Sequence, residues 1–160
     1  MRPLSYSLEF RGFASERAPQ QLDIWARAPS SSFITLVTEA GLFDHKSTFG
    51  YEEAALRATL AFDSDDRFVY TGTVVVGRGN VMHFRTAGPA RLDRSSGGDV
   101  REATAALLVE GGQGQFFGAV GRIASNFLIS DTFDVTDRHL GLIYVRPNPR
   151  LSEADIDLPT

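Results

Sequence analysis

The stretch "EGGQGQFFGAVGRIASNF", Glu110 to Phe127, decides how this chain is read. Four of its first nine residues are glycine, two phenylalanines stand side by side, and Arg122 and Asn126 follow among apolar residues. A phosphate-cradling loop, a flexible linker and the corner of a β-barrel all use glycine in this way. A dinucleotide fingerprint needs G-x-G-x-x-G directly after a strand and opening a helix. Here the spacing is Gly112-x-Gly114-x-x-x-Gly118, and "RIASNFLIS" then alternates like a strand. The helix N-terminus that would hold a pyrophosphate is missing, and so is the G-K-[ST] that ends a Walker loop. A linker would leave Phe116 and Phe117 exposed in its middle. What remains is a tight corner, where glycine permits positive φ and bulges while the phenylalanines anchor the loop to the core.

The rest of the chain supports a corner because it alternates almost throughout. "SYSLEF" (Ser5–Phe10) sets Tyr6, Leu8 and Phe10 against Ser5, Ser7 and Glu9, and "LDIWAR" (Leu22–Arg27) sets Leu22, Ile24 and Ala26 against Asp23, Trp25 and Arg27. "FITLVT" (Phe33–Thr38) is β-branched and largely apolar. "EEAALRATLAF" (Glu52–Phe62) favours helix on propensity. Its Leu56, Ala58, Leu60 and Phe62 fall at period two, so it is read as a strand. "RFVYTGTVVV", "GRGN" and "VMHFR" make an antiparallel hairpin (Arg67–Arg85), since a short Gly-rich connection cannot hold a parallel crossover. "GRIASNFLIS" and "HLGLIYV" complete a set of eight or nine short strands with no βαβ alternation. That pattern predicts an all-β, antiparallel barrel of eight to nine strands with a central apolar cavity. Residues 1–146 form the barrel domain, and the Pro-rich, acidic 147–160 a C-terminal extension.

Composition narrows the function. At 160 residues the chain is long enough to bury one substantial core. Its net charge of −4 and its single lysine, Lys46, argue against nucleic-acid binding, which needs clustered cations. There is no cysteine, which removes thiolate catalysis and Cys-based metal sites and suits a cytoplasmic protein. No signal-peptide pattern and no membrane span is visible, so no membrane partner is expected. Asp131, Asp134 and Asp137 are spaced by three and do not match a calcium loop, so they are read as turn residues. His45, His83 and His139 show no paired metal spacing, so no metal and no cofactor is predicted.

"VEGGQGQFFGAVGRI" resembles the strand–GGxGxFxGAxG–strand signature of allene-oxide-cyclase-like barrels, within the calycin-like group. Dirigent proteins carry a related Gly-rich segment. The similarity spans Ala105 to Ser130. It implies an eight-stranded barrel, often trimeric, whose cavity binds or cyclises small hydrophobic molecules without a cofactor. It carries no catalytic residue over, because the matching stretch is a structural corner.

Candidates for chemistry therefore come from the strands, where alternate residues face the lumen. His83 shares a face with Val81 and Arg85, and Arg122 and Asn126 share one with Ala124 and Leu128. Glu110 closes an otherwise apolar strand, and Tyr144 shares its face with Leu140 and Leu142. If His83 points inward beside Glu110 it can act as a general acid or base, with Arg122 and Asn126 polarising a carbonyl. The alternative is that these residues face solvent or a subunit interface as cross-strand pairs. Both faces of several strands are partly apolar, which predicts an outer wall covered by oligomerisation or by a helix, with a homo-oligomer, dimer or trimer, expected. The expected activity is a cofactor-independent cyclase or isomerase acting by confinement on a hydrophobic small molecule of specialised metabolism. A lipocalin-like carrier and a solidly packed structural barrel are the alternatives.

Overall fold

The computed structural model describes residues 1–29, 33–46, 52–95 and 97–147. The strands are β1 (Arg2–Ala18), β2 (Gln21–Ala28), β3 (Phe33–Thr38), β4 (Gly41–Lys46), β5 (Ala54–Phe62) and β6 (Arg67–Val76). They continue with β7 (Asn80–Thr86), β8 (Ala90–Arg91), β9 (Asp93–Arg94), β10 (Val100–Gln113), β11 (Val120–Ser130) and β12 (Asp134–Val145). No α-helix occurs among the described residues, and none is long and apolar enough to cross a membrane.

Eight strands close into an antiparallel barrel in the order β11-β12-β1-β2-β5-β6-β7-β10, and pairing of β10 with β11 completes the ring. Short connections fold most strands back onto their predecessors, while β1 pairs with both its successor and the last strand. Its first part lies against β12, from Arg2↔Val145 to Phe13↔Asp134, and its second part against β2. The short β8 and β9 add to β6 and β10, while β3 and β4 form a separate two-stranded arm inserted between β2 and β5.

Alternation decides which residues enter the barrel. In β5, Ala54, Leu56, Ala58 and Leu60 are all buried, so the segment is a strand despite its helix-favouring alanines and leucines. A helix would spread those four positions around its circumference, whereas a strand puts them all on one buried face. The middle of the barrel is filled by Phe10, Leu60, Phe68, Tyr70, Phe84 and Phe127, with aromatic rings meeting edge-on or tilted. Burial of each such ring contributes roughly 1.5–3 kcal/mol.

The Gly-rich stretch is a corner between β10 and β11, containing a 3-10 turn at Gly114–Phe116. Gly114 has φ +61, and a Cβ there would collide with Asn80 Oδ1 and Gly79 O, so both conformation and space require glycine. The Gln115 amide donates to Asn80 Oδ1 at 2.9 Å, pinning the corner to the β6–β7 turn. Phe116 is buried and anchors the loop, as expected for both phenylalanines, but Phe117 is 45% exposed because the turn carries it outward. The C-terminal extension lies outside the described residues from position 148 onward.

Candidate functional site

Four polar side chains are fully enclosed among the barrel's apolar residues: Tyr70 at 1% exposure and Ser125, Asp137 and His139 at 0%. The ladder brings three of them together. Ser125 on β11 lies opposite His139 on β12, and Asp137 precedes His139 by two residues on the same face. Asp137 Oδ1 accepts the Ser125 hydroxyl at 2.6 Å. Its Oδ2 accepts the Tyr70 hydroxyl at 2.7 Å and stands 2.9 Å from His139 Nε2. Every buried side-chain polar atom among the described residues finds a partner, as a low-dielectric interior demands.

His139 is held between Phe10 and Phe84, whose rings meet it edge-on with centroids at 5.0 and 5.9 Å. An ionised carboxylate only accepts, so Nε2 carries the hydrogen toward Asp137, and in the neutral imidazole Nδ1 is left to accept. Tyr6 supplies the hydroxyl, at a long 3.4 Å from Nδ1. The Tyr6 ring lies over Gly141, its partner on β12, where any Cβ would strike the ring. Burial pushes the Tyr70 phenol well above its ordinary value, and the negative charge of Asp137 and the hydrogen bond to it push it further. Tyr6 is raised by the same two causes, burial first and the Asp137 charge second. Both phenols are therefore donors over the whole neutral range, not bases.

Tyr6 also lines a cavity of about 380 Å³ at the mouth of the barrel, near the small end of the roughly 300–1,000 Å³ typical of ligand pockets. Leu4, Leu8, Val74, Val76, Met82 and Phe116 supply apolar wall, and Glu52 and Glu53 stand at the rim. Glu53 is 3.5 Å from Arg27. Wider hollows of about 510 to 590 Å³ lie on the outer wall, but they are open grooves between outward-facing side chains. The mouth cavity adjoins the buried polar cluster through Tyr6, whose other side borders the outer groove of about 590 Å³ beside Gly141.

All five residues singled out from the sequence are on the outside of the barrel. His83 is exposed on β7, whose inward face belongs to Met82 and Phe84. Glu110 pairs with Arg85 across the outer surface, and Asn126 Oδ1 accepts the Thr104 hydroxyl at 3.1 Å. Glu110, Arg122 and Tyr144 border one outer groove of about 510 Å³, while His83 and Asn126 do not. The inward meeting of His83 with Glu110 is thus not formed, because the pleat assigns their positions to solvent. Asp134 behaves as a turn residue, accepting the Thr132 hydroxyl at 2.8 Å, but Asp137 is a strand residue at the centre of the buried cluster.

Sequence reasoning missed Tyr6, Tyr70, Ser125, Asp137 and His139 as a group. The available signal was the face Val135-x-Asp137-x-His139-x-x-x-Ile143-x-Val145, on which two polar groups share a register with apolar ones. Among the described residues no group of three or more His, Asp or Glu is arranged to hold a metal ion. No protein-family model, curated protein or solved structure matches the chain.

Proposed function

We propose that the chain binds a small apolar molecule in the mouth cavity and isomerises or cyclises it without a cofactor, using Tyr6, His139 and Asp137 as its acid–base element. The observation that carries this reading is that one side chain, Tyr6, belongs both to the cavity wall and to the buried polar cluster. Its phenol, kept protonated by burial and by the Asp137 charge, suits it to donate a hydrogen bond to a substrate carbonyl as negative charge develops there. A small turn of the ring would transfer that hydroxyl from His139 to the ligand. His139 Nδ1, vacated by that turn and oriented through Asp137, would take the proton from the carbon beside the carbonyl and hand it back at the isomerised carbon, leaving no net proton on the protein. The apolar walls would fold a flexible substrate into its reactive shape and keep water away. The resemblance of Ala105–Ser130 to allene-oxide-cyclase-like barrels supports the same reading, and the cysteine-free composition suits work in the cytoplasm.

Carriage without catalysis is the second reading. It is favoured by the cavity's lining, where Tyr6, Glu52 and Glu53 are the ionisable members among the described residues. The two are separated by incubating the protein in heavy water with a panel of neutral apolar ketones and following exchange at the carbon beside the carbonyl. Catalysis predicts exchange that Tyr6→Phe abolishes while binding stays within about threefold of wild type. Binding with no exchange in wild type would assign the protein to carriage. Failure of every apolar probe to bind would overturn both.

A further inference from the structure

Two of the apolar surfaces left uncovered among the described residues complement one another. The first is the arm. Leu36 faces Phe43 and Val37 faces Leu42 across the β3–β4 ladder, and alternation puts the two pairs on opposite faces. All four are exposed, Val37 and Leu42 to 73%. An isolated two-stranded ribbon is marginal in water, and among the described residues no strand pairs with either of its edges.

The second surface is the outer wall of β10, β11 and β12 near the mouth. Val120, Leu140, Leu142 and Tyr144 are exposed there, and the ladder sets Arg122 between Leu108 and Leu142. Tyrosine and arginine set in an apolar surround are the residues that most often anchor protein interfaces. Arg122 has no ion-pair partner among the described residues, and neither has Glu39 at the tip of the arm. The wall thus offers a cation without an ion-pair partner among apolar side chains, with the Glu110–Arg85 pair at its border, and the arm's tip offers an anion beside an apolar ribbon.

The geometry points to the arm of one copy packing on the β10–β12 wall of a second copy, with Glu39 meeting Arg122. An arm cannot serve its own wall, because it is rooted between β2 and β5, across the ring from β11. Arm and wall are different surfaces, so the contact closes either as a reciprocal pair or as a ring. A lipid surface would accept the apolar ribbon, but it would meet the Glu39 carboxylate first and would give Arg122 no role. This inference is independent of the activity proposed for the mouth cavity.

The test is the molar mass of the full chain by sedimentation over a micromolar concentration series, with folding checked by circular dichroism. Wild type is expected to self-associate. Glu39→Arg and Arg122→Glu are each expected to weaken association about tenfold, and the double reversal to recover most of the loss. Val37→Ser with Leu42→Ser is expected to weaken it without altering charge. A wild type that stays monomeric throughout, or charge reversals that change nothing, would overturn the proposal. Flotation of wild type with zwitterionic lipid vesicles in place of self-association would assign the arm to a membrane surface and overturn it equally.

Discussion

Asp137 and His139 stand two residues apart on β12, with His139 Nε2 2.9 Å from Asp137 Oδ2 and both side chains wholly buried. Strand geometry sends positions i and i+2 to the same face, so the pair comes from one strand. Ser125 and Tyr70, from two other strands, then converge on the same carboxyl group.

Removing that carboxyl group leaves three buried donors without an acceptor. Asp137→Ala is expected to lose about 3–5 kcal/mol of stability, since each buried donor left unsatisfied costs about 1–3 kcal/mol. Ser125→Ala removes a single donor and is expected to cost about 1 kcal/mol. Urea unfolding of both variants measures the difference. Equal losses would mean that the carboxyl group is not the hub of the cluster.

Gly141 and Tyr6 are coupled by space. Gly141→Ala is expected to cost about 1–3 kcal/mol by driving the Tyr6 ring off its seat. The same change should weaken binding of a neutral apolar dye in the mouth cavity, because the displaced ring forms part of its wall. In a Tyr6→Ala background the alanine has nothing to strike, and its stability cost should largely vanish. A double-mutant cycle checks this, and simple additivity would refute it.

Stability should fall at alkaline pH in a way that two tyrosines control. The ordinary phenol value is 10.0, and both Tyr6 and Tyr70 are raised above it in the folded chain. Above about pH 10 the unfolded chain releases protons that the folded chain keeps, so their stabilisation is complete below that point and lost as pH rises. The expected slope is about 1.4 kcal/mol per pH unit for each tyrosine. Tyr6→Phe and Tyr70→Phe should each flatten it.

The acid limb runs the other way. Burial of Glu9 opposes its charge, but hydrogen bonds and charges from Arg11 and Arg138 outweigh burial and hold the carboxyl below its ordinary range. Its stabilisation is therefore present above the unfolded value and lost as pH falls through the folded one. Glu9→Gln should flatten the acid limb of a pH–stability curve.

The barrel was legible from alternation, because wherever one face of a strand is plainly apolar the pleat leaves no choice. β5 shows this against its own helix propensity, and the Gly111–Gly118 corner shows it through the missing helix after Gly118. The site was not legible, and β12 shows why. Its two faces, His139-Gly141-Ile143 and Leu140-Leu142-Tyr144, are both largely apolar, so hydrophobicity does not say which enters the barrel. The polar face is buried because Asp137 and His139 satisfy each other and recruit Ser125 and Tyr70. Those partners lie on strands far apart in sequence, and only register brings them together. The same ambiguity placed His83, Glu110, Arg122, Asn126 and Tyr144 among candidates for the lumen, whereas they belong to the outer surface.

The pairing of β1 with β12 has a consequence for how the protein is made. Arg2 and Val145 are partners, so the ring cannot shut until nearly the whole chain is available. Contacts so distant in sequence are slow to form. Until then Tyr70 and Ser125 wait without their acceptor, since Asp137 and His139 arrive on the closing strand. A ribosome that has delivered everything up to β11 holds an open, unfinished sheet. The last strand both seals the barrel and brings in the buried Asp137–His139 pair, so a chain cut short before it would lack the buried polar cluster as well as the closed ring.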